Sequence, residues 1–297
     1  MRRVTVVGIL GLLLVGVGAG ATPLTILYTN DLHLRFERLD ALERLIAEQR
    51  DEVGDLLLVD AGDAWHDFRR PTTAVCGADA MVAWMNRVAY DAMALGNHDM
   101  YWGSERLEEL AAEAAFPILC ANLQAAGIRS PPFVPSVLID VNGASIALIG
   151  LVGAEFLAFS AFPSLAYVAP DVALRETLER LPDGLDAVIV VAHLPVAEAA
   201  RIARHVSGID VFITGHSHEE TVDPVRVGNT IIVQAGCFGA KLGRLDVEIE
   251  ADGVNVCEHR LIPTEKAPVD LDRSLLQLGR VIIALSAILL LVVFPTG

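Results

Sequence analysis

Six short apolar runs, at residues 24–28, 56–59, 146–151, 187–191, 211–214 and 230–234, limit what this chain can become. Each is four to six residues long and rich in Val, Ile, Leu or Thr. That is short for a helix and suits a strand buried on both faces. Helical periodicity separates most of them. Residues 38–50 place Leu39, Leu42, Leu45 and Ile46 on one face, and Met81, Trp84, Met85 and Val88 repeat the pattern. Pro170 and Asp171 open a further helix that ends near Pro182, and residues 197–206 form another. Strands alternating with helices predict an α/β domain with both sheet faces covered. With 53% hydrophobic and 20% charged residues, the chain has the apolar content to offset chain entropy, which excludes a disordered protein. We find no internal repeat, low-complexity linker or second globular segment.

The polar residues that follow the runs carry the functional signal. Asp31 and His33 follow the first run and Asp63 the second. Asn97, His98 and Asp99 follow residues 92–96, His193 follows 187–191, and His216 and His218 follow 211–214. Open α/β sheets gather ligands beyond the carboxyl ends of their strands, so these groups can converge from distant parts of the chain. Asp31 and His33 are two apart, which in an extended segment aims both side chains to one face, and His216 with His218 repeats this spacing. Singly, each residue is commonplace: a lone His at a strand end is more often core or surface than ligand, and Gly62, Gly96 and Gly215 can be plain turn residues. Together, five of the eight histidines stand at strand ends with acids among them. His66, His205 and His259 fall outside the pattern and are read as surface or loop residues.

The stretches TNDLH (29–33), AGD (61–63), YDAMALGNHD (90–99), AH (192–193), GIDVFITGHSH (208–218) and VQAGCFGAKLGRLDV (233–247) resemble the calcineurin-like metallophosphoesterases. Within that family the resemblance is to the exported 5'-nucleotidase and 2',3'-cyclic phosphodiesterase branch, over about 230 residues in the family's own order. It implies a four-layer sandwich, two mixed β-sheets flanked by helices. It further implies one metal ion held by Asp31, His33, Asp63 and His218, and a second by Asp63, Asn97, His193 and His216, with Asp63 bridging. Asn97 and His98 would contact the substrate, His98 as the catalytic histidine.

Two departures accompany the resemblance. An acid or amide commonly stands three residues after the catalytic histidine, where this chain has Tyr101; Asp99 is the adjacent acid, expected as a catalytic partner of His98. Nucleotidases of the branch also carry a second domain that stacks the base, and the resemblance here ends near residue 262. Nucleotide specificity therefore does not follow from it.

The chemistry suits the residue types. Hydrolysis of a phosphate ester needs a nucleophile strong at neutral pH, here a metal-bound hydroxide, and compensation for charge on the phosphoryl oxygens. Two divalent ions supply both. Imidazole, carboxylate and amide donors favour Mn, Fe, Zn or Co over Ca. Two dications outweigh the charges of Asp31 and Asp63, so the pocket attracts a small-molecule phosphate ester although 38 acids oppose 22 bases and the net charge is -16. That acidity excludes a basic nucleic-acid-binding surface. A thiohydrolase on the same scaffold would depart from GNHD at the catalytic turn, and a non-catalytic metal-binding scaffold would lose ligands; none is missing here. Gly236, Gly239 and Gly243 lack the GK[ST] ending of a phosphate cradle and are read as strand and loop.

The chain ends predict localisation. Arg2 and Arg3, the apolar residues 4–17 and then Ala19, Gly20 and Ala21 have the order of a secretory signal peptide over 1–21. A catalytic domain over 22–262 and a linker over 263–280 precede residues 281–294, free of charge and predicted to be a transmembrane segment or a removable sorting tail. The expectation is an exported, membrane-anchored protein on the periplasmic or extracellular face. Cys76, Cys120, Cys237 and Cys257 form no CxxC pair and are read as small buried residues, with one disulfide allowed.

Overall fold

The computed structural model describes residues 21–67, 69, 71–125, 131–154, 165–250 and 253–265. The signal-peptide and transmembrane expectations, with most of the linker, lie outside the described residues. No helix among the described residues is long and apolar enough to cross a membrane.

The apolar runs become strands of two mixed six-stranded sheets. In the first, β1 (Thr22–Thr29), β2 (Leu57–Asp60), β3 (Ala92–Ala94) and β4 (Ile118–Leu119) run parallel, β13 (Lys241–Glu250) pairs antiparallel with β1, and β14 (Gly253–Pro263) pairs antiparallel with β13, giving the order β14-β13-β1-β2-β3-β4. In the second, β7 (Ala144–Val152), β9 (Ala187–His193), β10 (Val211–Thr214) and β12 (Thr230–Val233) are parallel, with β6 (Ser136–Val141) and β11 (Val225–Val227) antiparallel at the edges. A small antiparallel pair, β5 (Leu123–Ala125) and β8 (Leu165–Tyr167), stands apart.

Period-2 alternation assigns each strand residue to a layer. Ile26 and Tyr28 of β1 meet Ile146, Leu148, Ile189, Val191 and Ile213 between the sheets. Leu27, on the opposite face, packs with Leu39, Leu42 and Ile46 of α1 (Phe36–Val53) and with Met81, Trp84 and Met85 of α2 (Pro71–Arg87). Leu107 and Leu110 of α3 (Ser104–Glu113) complete that layer. Beyond the second sheet, Ile149, Leu151, Val190 and Phe212 pack on α4 (Pro170–Leu178) and α5 (Val196–Ala203) through Leu174, Ala199 and Ile202. The result is the expected four layers, helix, sheet, sheet, helix. Gly243 fits because Tyr28 occupies the space a Cβ would need. The thiols of Cys120, Cys237 and Cys257 are free, and burial pushes that of Cys120 up to about 12.

The parallel strands of both sheets deliver their carboxyl ends to one edge. β1, β2, β9 and β10 end there in Thr29, Asp60, His193 and Thr214, and the candidate residues follow within four positions or fewer.

Candidate metal centre

The loops after β1 and β2 are laced together through their backbones. Asp31 N–H donates to Gly62 O at 2.9 Å, His33 N–H to Asp63 O at 2.9 Å and Leu34 N–H to Ala64 O at 3.2 Å. Neither loop is extended. Asp31, His33 and Asp63 adopt φ of 52°, 46° and 60°, and His216 and His218 of 70° and 58°. The shared direction of Asp31 with His33, and of His216 with His218, thus comes from left-handed turns and not from the strand alternation expected of their spacing. A left-handed non-glycine residue costs on the order of 1–3 kcal/mol and persists where its surroundings enforce it. Its concentration here marks a site assembled against local preference.

Asp31 is fully buried and divides its two oxygens. Oδ2 accepts hydrogen bonds from Asn30 Nδ2 at 2.7 Å and His216 N–H at 2.9 Å. Oδ1 has no hydrogen-bond donor and lies 3.2 Å from His218 Nε2 and 3.7 Å from His33 Nε2. Asp63 divides likewise: Oδ1 accepts from His98 N–H at 2.7 Å, and Oδ2 lies 3.1 Å from His193 Nε2 and 3.8 Å from His33 Nε2. Each carboxylate is anchored by one oxygen and turns the other toward imidazole nitrogens.

The imidazoles are oriented from behind. His33 Nδ1–H donates to His66 O at 3.0 Å and His193 Nδ1–H to Ala61 O at 2.8 Å. Those carbonyls take the Nδ1 protons and aim Nε2 at the carboxylates, the nitrogen left to bind a metal once any proton on it is displaced. Asn97 Oδ1 sits 3.1 Å from His193 Nε2 and 3.0 Å from His216 Nδ1. Asp31, His33 and His218 gather ligand atoms within 4.8 Å of one another; so do Asp31, Asp63 and His193, and also His33, Asp63 and His98. An orphaned buried carboxylate oxygen facing oriented imidazoles fits a divalent cation.

The protonation states describe the same groups without an ion. Burial opposes charge on His193, but the carboxylates of Asp63 and Asp31 outweigh it and lift the imidazole to about 10. His218 is lifted to about 10 chiefly by Asp31. Burial raises Asp31 and Asp63, yet the neighbouring imidazoles of His218, His33 and His193 win and hold both below the usual carboxylate range. Protonated imidazoles here fill the electrostatic role of a cation.

His98 is half-buried, its ring 4.8 Å from that of His33 and edge-on to it. Burial drives it down to about 4, against the pull of Asp63, so it is neutral at pH 7. Asp99 does not serve as the partner expected for that ring. It lies on a 3₁₀ turn (Asp99–Trp102), fully buried, and its two oxygens accept backbone N–H groups from Asp63 at 2.8 Å, Trp65 at 2.8 Å and Gly96 at 3.0 Å. It ties the loop after β2 to the loop after β3. Gly96 is required by the same closeness, since a Cβ there would collide with the backbone N and side chain of Asp63.

His66 departs from its surface reading. It is half-buried, its ring 5.8 Å from that of His98 and 5.3 Å from that of Tyr101, and its carbonyl orients His33. Its place three residues after Asp63 was the available signal. His205 is exposed, and His259 lies 2.7 Å from Tyr28 Oη, away from the cluster. Of the two cations in and directly after the glycine-rich stretch, Arg244 is buried against Gln49, Glu52 and Asp246, and Lys241 pairs with Glu220.

A family model described as calcineurin-like phosphoesterase matches residues 24–220. A snake venom 5'-nucleotidase from Crotalus adamanteus is 31% identical, the match spanning 80% of this chain and 47% of the relative. The chain thus spans about half the length of the curated relatives it matches. The crystal structure of a 5'-nucleotidase precursor from Thermus thermophilus superposes with a TM-score of 0.73 at 25% identity, over 89% of this chain and 60% of the other. A sulfate thiohydrolase from the same organism superposes equally, TM-score 0.73, at 24% identity over 86% and 60%, a likeness of fold.

Proposed function

Since the chain belongs to the calcineurin-like phosphoesterase family, we propose that it is an exported hydrolase of phosphate mono- or diesters, nucleotides among its candidate substrates, working with two divalent ions. The observation that carries this reading is the pair of buried carboxylates, each anchored by one oxygen and facing imidazole nitrogens with the other. Asp31, His33, Asp63 and His218 would hold one ion, and Asp63, Asn97, His193 and His216 the second. When bound, such ions acidify a water and offset the charge that spreads over the phosphoryl oxygens.

The remaining work falls to the chain itself. His98, fixed through its backbone N–H on Asp63 Oδ1, offers a hydrogen bond to a phosphoryl or leaving oxygen from a neutral imidazole. Asn97 presents its amide N–H₂ to the same group while its oxygen faces His193 and His216. Export and a membrane tether belong to the proposal through the sequences of residues 1–21 and 281–294.

The full chain, loaded with Mn2+, is expected to hydrolyse an aryl phosphate or an aryl diester and to lose activity on chelation. A folded, metal-replete chain inert toward both would refute the enzyme reading. His98→Asn is expected to lower turnover by about 10²–10⁴-fold while leaving metal content unchanged. Unaltered turnover would remove His98 from the mechanism.

A further inference from the structure

Beside the metal centre stands a rim that the proposed reaction does not use. Phe238, in the loop between β12 and β13, adopts φ of 60°, and its N–H donates to the carbonyl of Asp31 at 2.7 Å. An aromatic side chain at positive φ is an outlier held by its context. Here the context is a candidate metal ligand. One side of the ring faces the centre, 5.5 Å from the His33 ring and 5.2 Å from that of His218. Two guanidinium groups also lie against the ring, Arg35 at 4.2 Å and Arg69 at 5.1 Å from its centroid, within cation–π range.

Both arginines also meet one buried carboxylate. Asp67 accepts from Arg35 Nη2 at 3.1 Å and from Arg69 through Nε at 2.8 Å, Nη2 at 3.4 Å and the backbone N–H at 3.0 Å. The arrangement holds both guanidinium groups against a ring that itself abuts the candidate ligands His33 and His218. Arg35 is largely covered, whereas the side chain of Arg69 is 47% exposed. Asp67 directly follows His66, whose carbonyl orients His33, so the carboxylate that holds both arginines is one residue from a contact of the centre. A planar guanidinium fork matches the oxygens of a phosphate, and cations beside a pocket draw anions toward it in a protein whose net charge is -16.

We propose that Arg69, braced with Arg35 on the ring of Phe238, binds a second phosphate group of the substrate, so that the chain prefers phosphate esters carrying a further phosphate or phosphonate. The inference rests on the phosphoesterase reading and adds the class of ester to it. A scissile phosphate at the metal centre is flanked by His98 on one side and Phe238 on the other, and the remainder of the substrate reaches the arginines across that ring.

The test uses a matched pair, phenyl phosphate and 4-(phosphonomethyl)phenyl phosphate, with the full chain loaded with Mn2+. The wild type is expected to show a kcat/KM about tenfold higher for the second compound, the size of one charge-assisted hydrogen bond. In Arg69→Gln the ratio should fall toward one. In Arg69→Lys, which keeps the charge and loses the fork, it should lie between. Both variants are expected to melt lower than the wild type, because Arg69 also pairs with the buried Asp67, so the ratio is read well below each melting temperature; a merely structural arginine would move stability and leave the ratio alone. A wild-type ratio near one, or a ratio unchanged in Arg69→Gln, overturns the inference while leaving the parent reading intact. Hydrolysis of neither compound refutes the parent reading and the inference with it.

Discussion

Metal binding to the metal-free chain at pH 8 should release about two protons. His193 and His218 are lifted to about 10, so at pH 8 each is about 99% protonated, whereas at its ordinary value near 6.5 each would be about 3% protonated. A ligating imidazole must be neutral, so an entering dication displaces whatever proton it carries. The two situations differ at pH 8 by about two protons against nearly none, and, with His218 and His193 on different ions, the apparent affinity of each ion should rise about tenfold per pH unit between 7 and 9, the product of the two about a hundredfold. Calorimetric titration of the chelated full chain with Mn2+, in two buffers of different ionisation enthalpy, counts the protons directly. Release of less than half a proton would refute the reasoning that the buried carboxylates of Asp63 and Asp31 keep these imidazoles charged. The same shifts set the stability of the metal-free fold. The contribution of His193 and His218 is fully present below about 6.5 and is lost as pH rises through about 10. That of Asp31 and Asp63, whose values are depressed, is present above the usual carboxylate range and is lost as pH falls below it.

Asp99→Ala leaves the buried N–H groups of Asp63, Trp65 and Gly96 without their acceptor; at about 1–3 kcal/mol for each orphaned donor, a loss of at least about 3 kcal/mol is expected, read as a melting temperature lowered by about 6–12 °C. Metal content should fall with it; lowered turnover with unaltered stability and metal content would restore Asp99 as a partner of His98. Gly96→Ala drives a methyl group into Asp63 and should reduce bound metal measured by elemental analysis, whereas a variant with full metal content would show that the two loops can separate without loss.

How much of this was legible in the sequence depended on whether a residue's role was set locally. The strands at 187–193 and 211–214 read clearly because both faces are buried and the runs are unbroken. β3 and β4, three and two residues long, are too short to display a period. In β13 the alternation is interrupted by a register shift at Asp246 and Val247, which obscured the long hairpin with β14. α1 extends beyond the expected 38–50 at both ends, where half-buried Phe36 and Val53 pack against the core. The candidate ligands stood out because each follows an apolar run that ends at the same sheet edge. Asp99 shows the limit of adjacency: His98 precedes the 3₁₀ turn that Asp99 opens, and the Asp99 carboxylate is taken up by the backbone N–H groups of Asp63, Trp65 and Gly96. The Phe238, Arg35 and Arg69 rim joins residues about two hundred positions apart through loop contacts, and no local pattern records it.

The central claim is that carboxylates, imidazoles and one carboxamide from five strand ends grip two divalent ions. Elemental analysis of the folded full chain after equilibration with Mn2+ and gel filtration tests it directly. Two equivalents per chain are expected in the wild type and fewer than one in Asp63→Asn, where the oxygen facing His33 and His193 is compromised. No bound metal in the wild type, or two equivalents retained by Asp63→Asn, would contradict it.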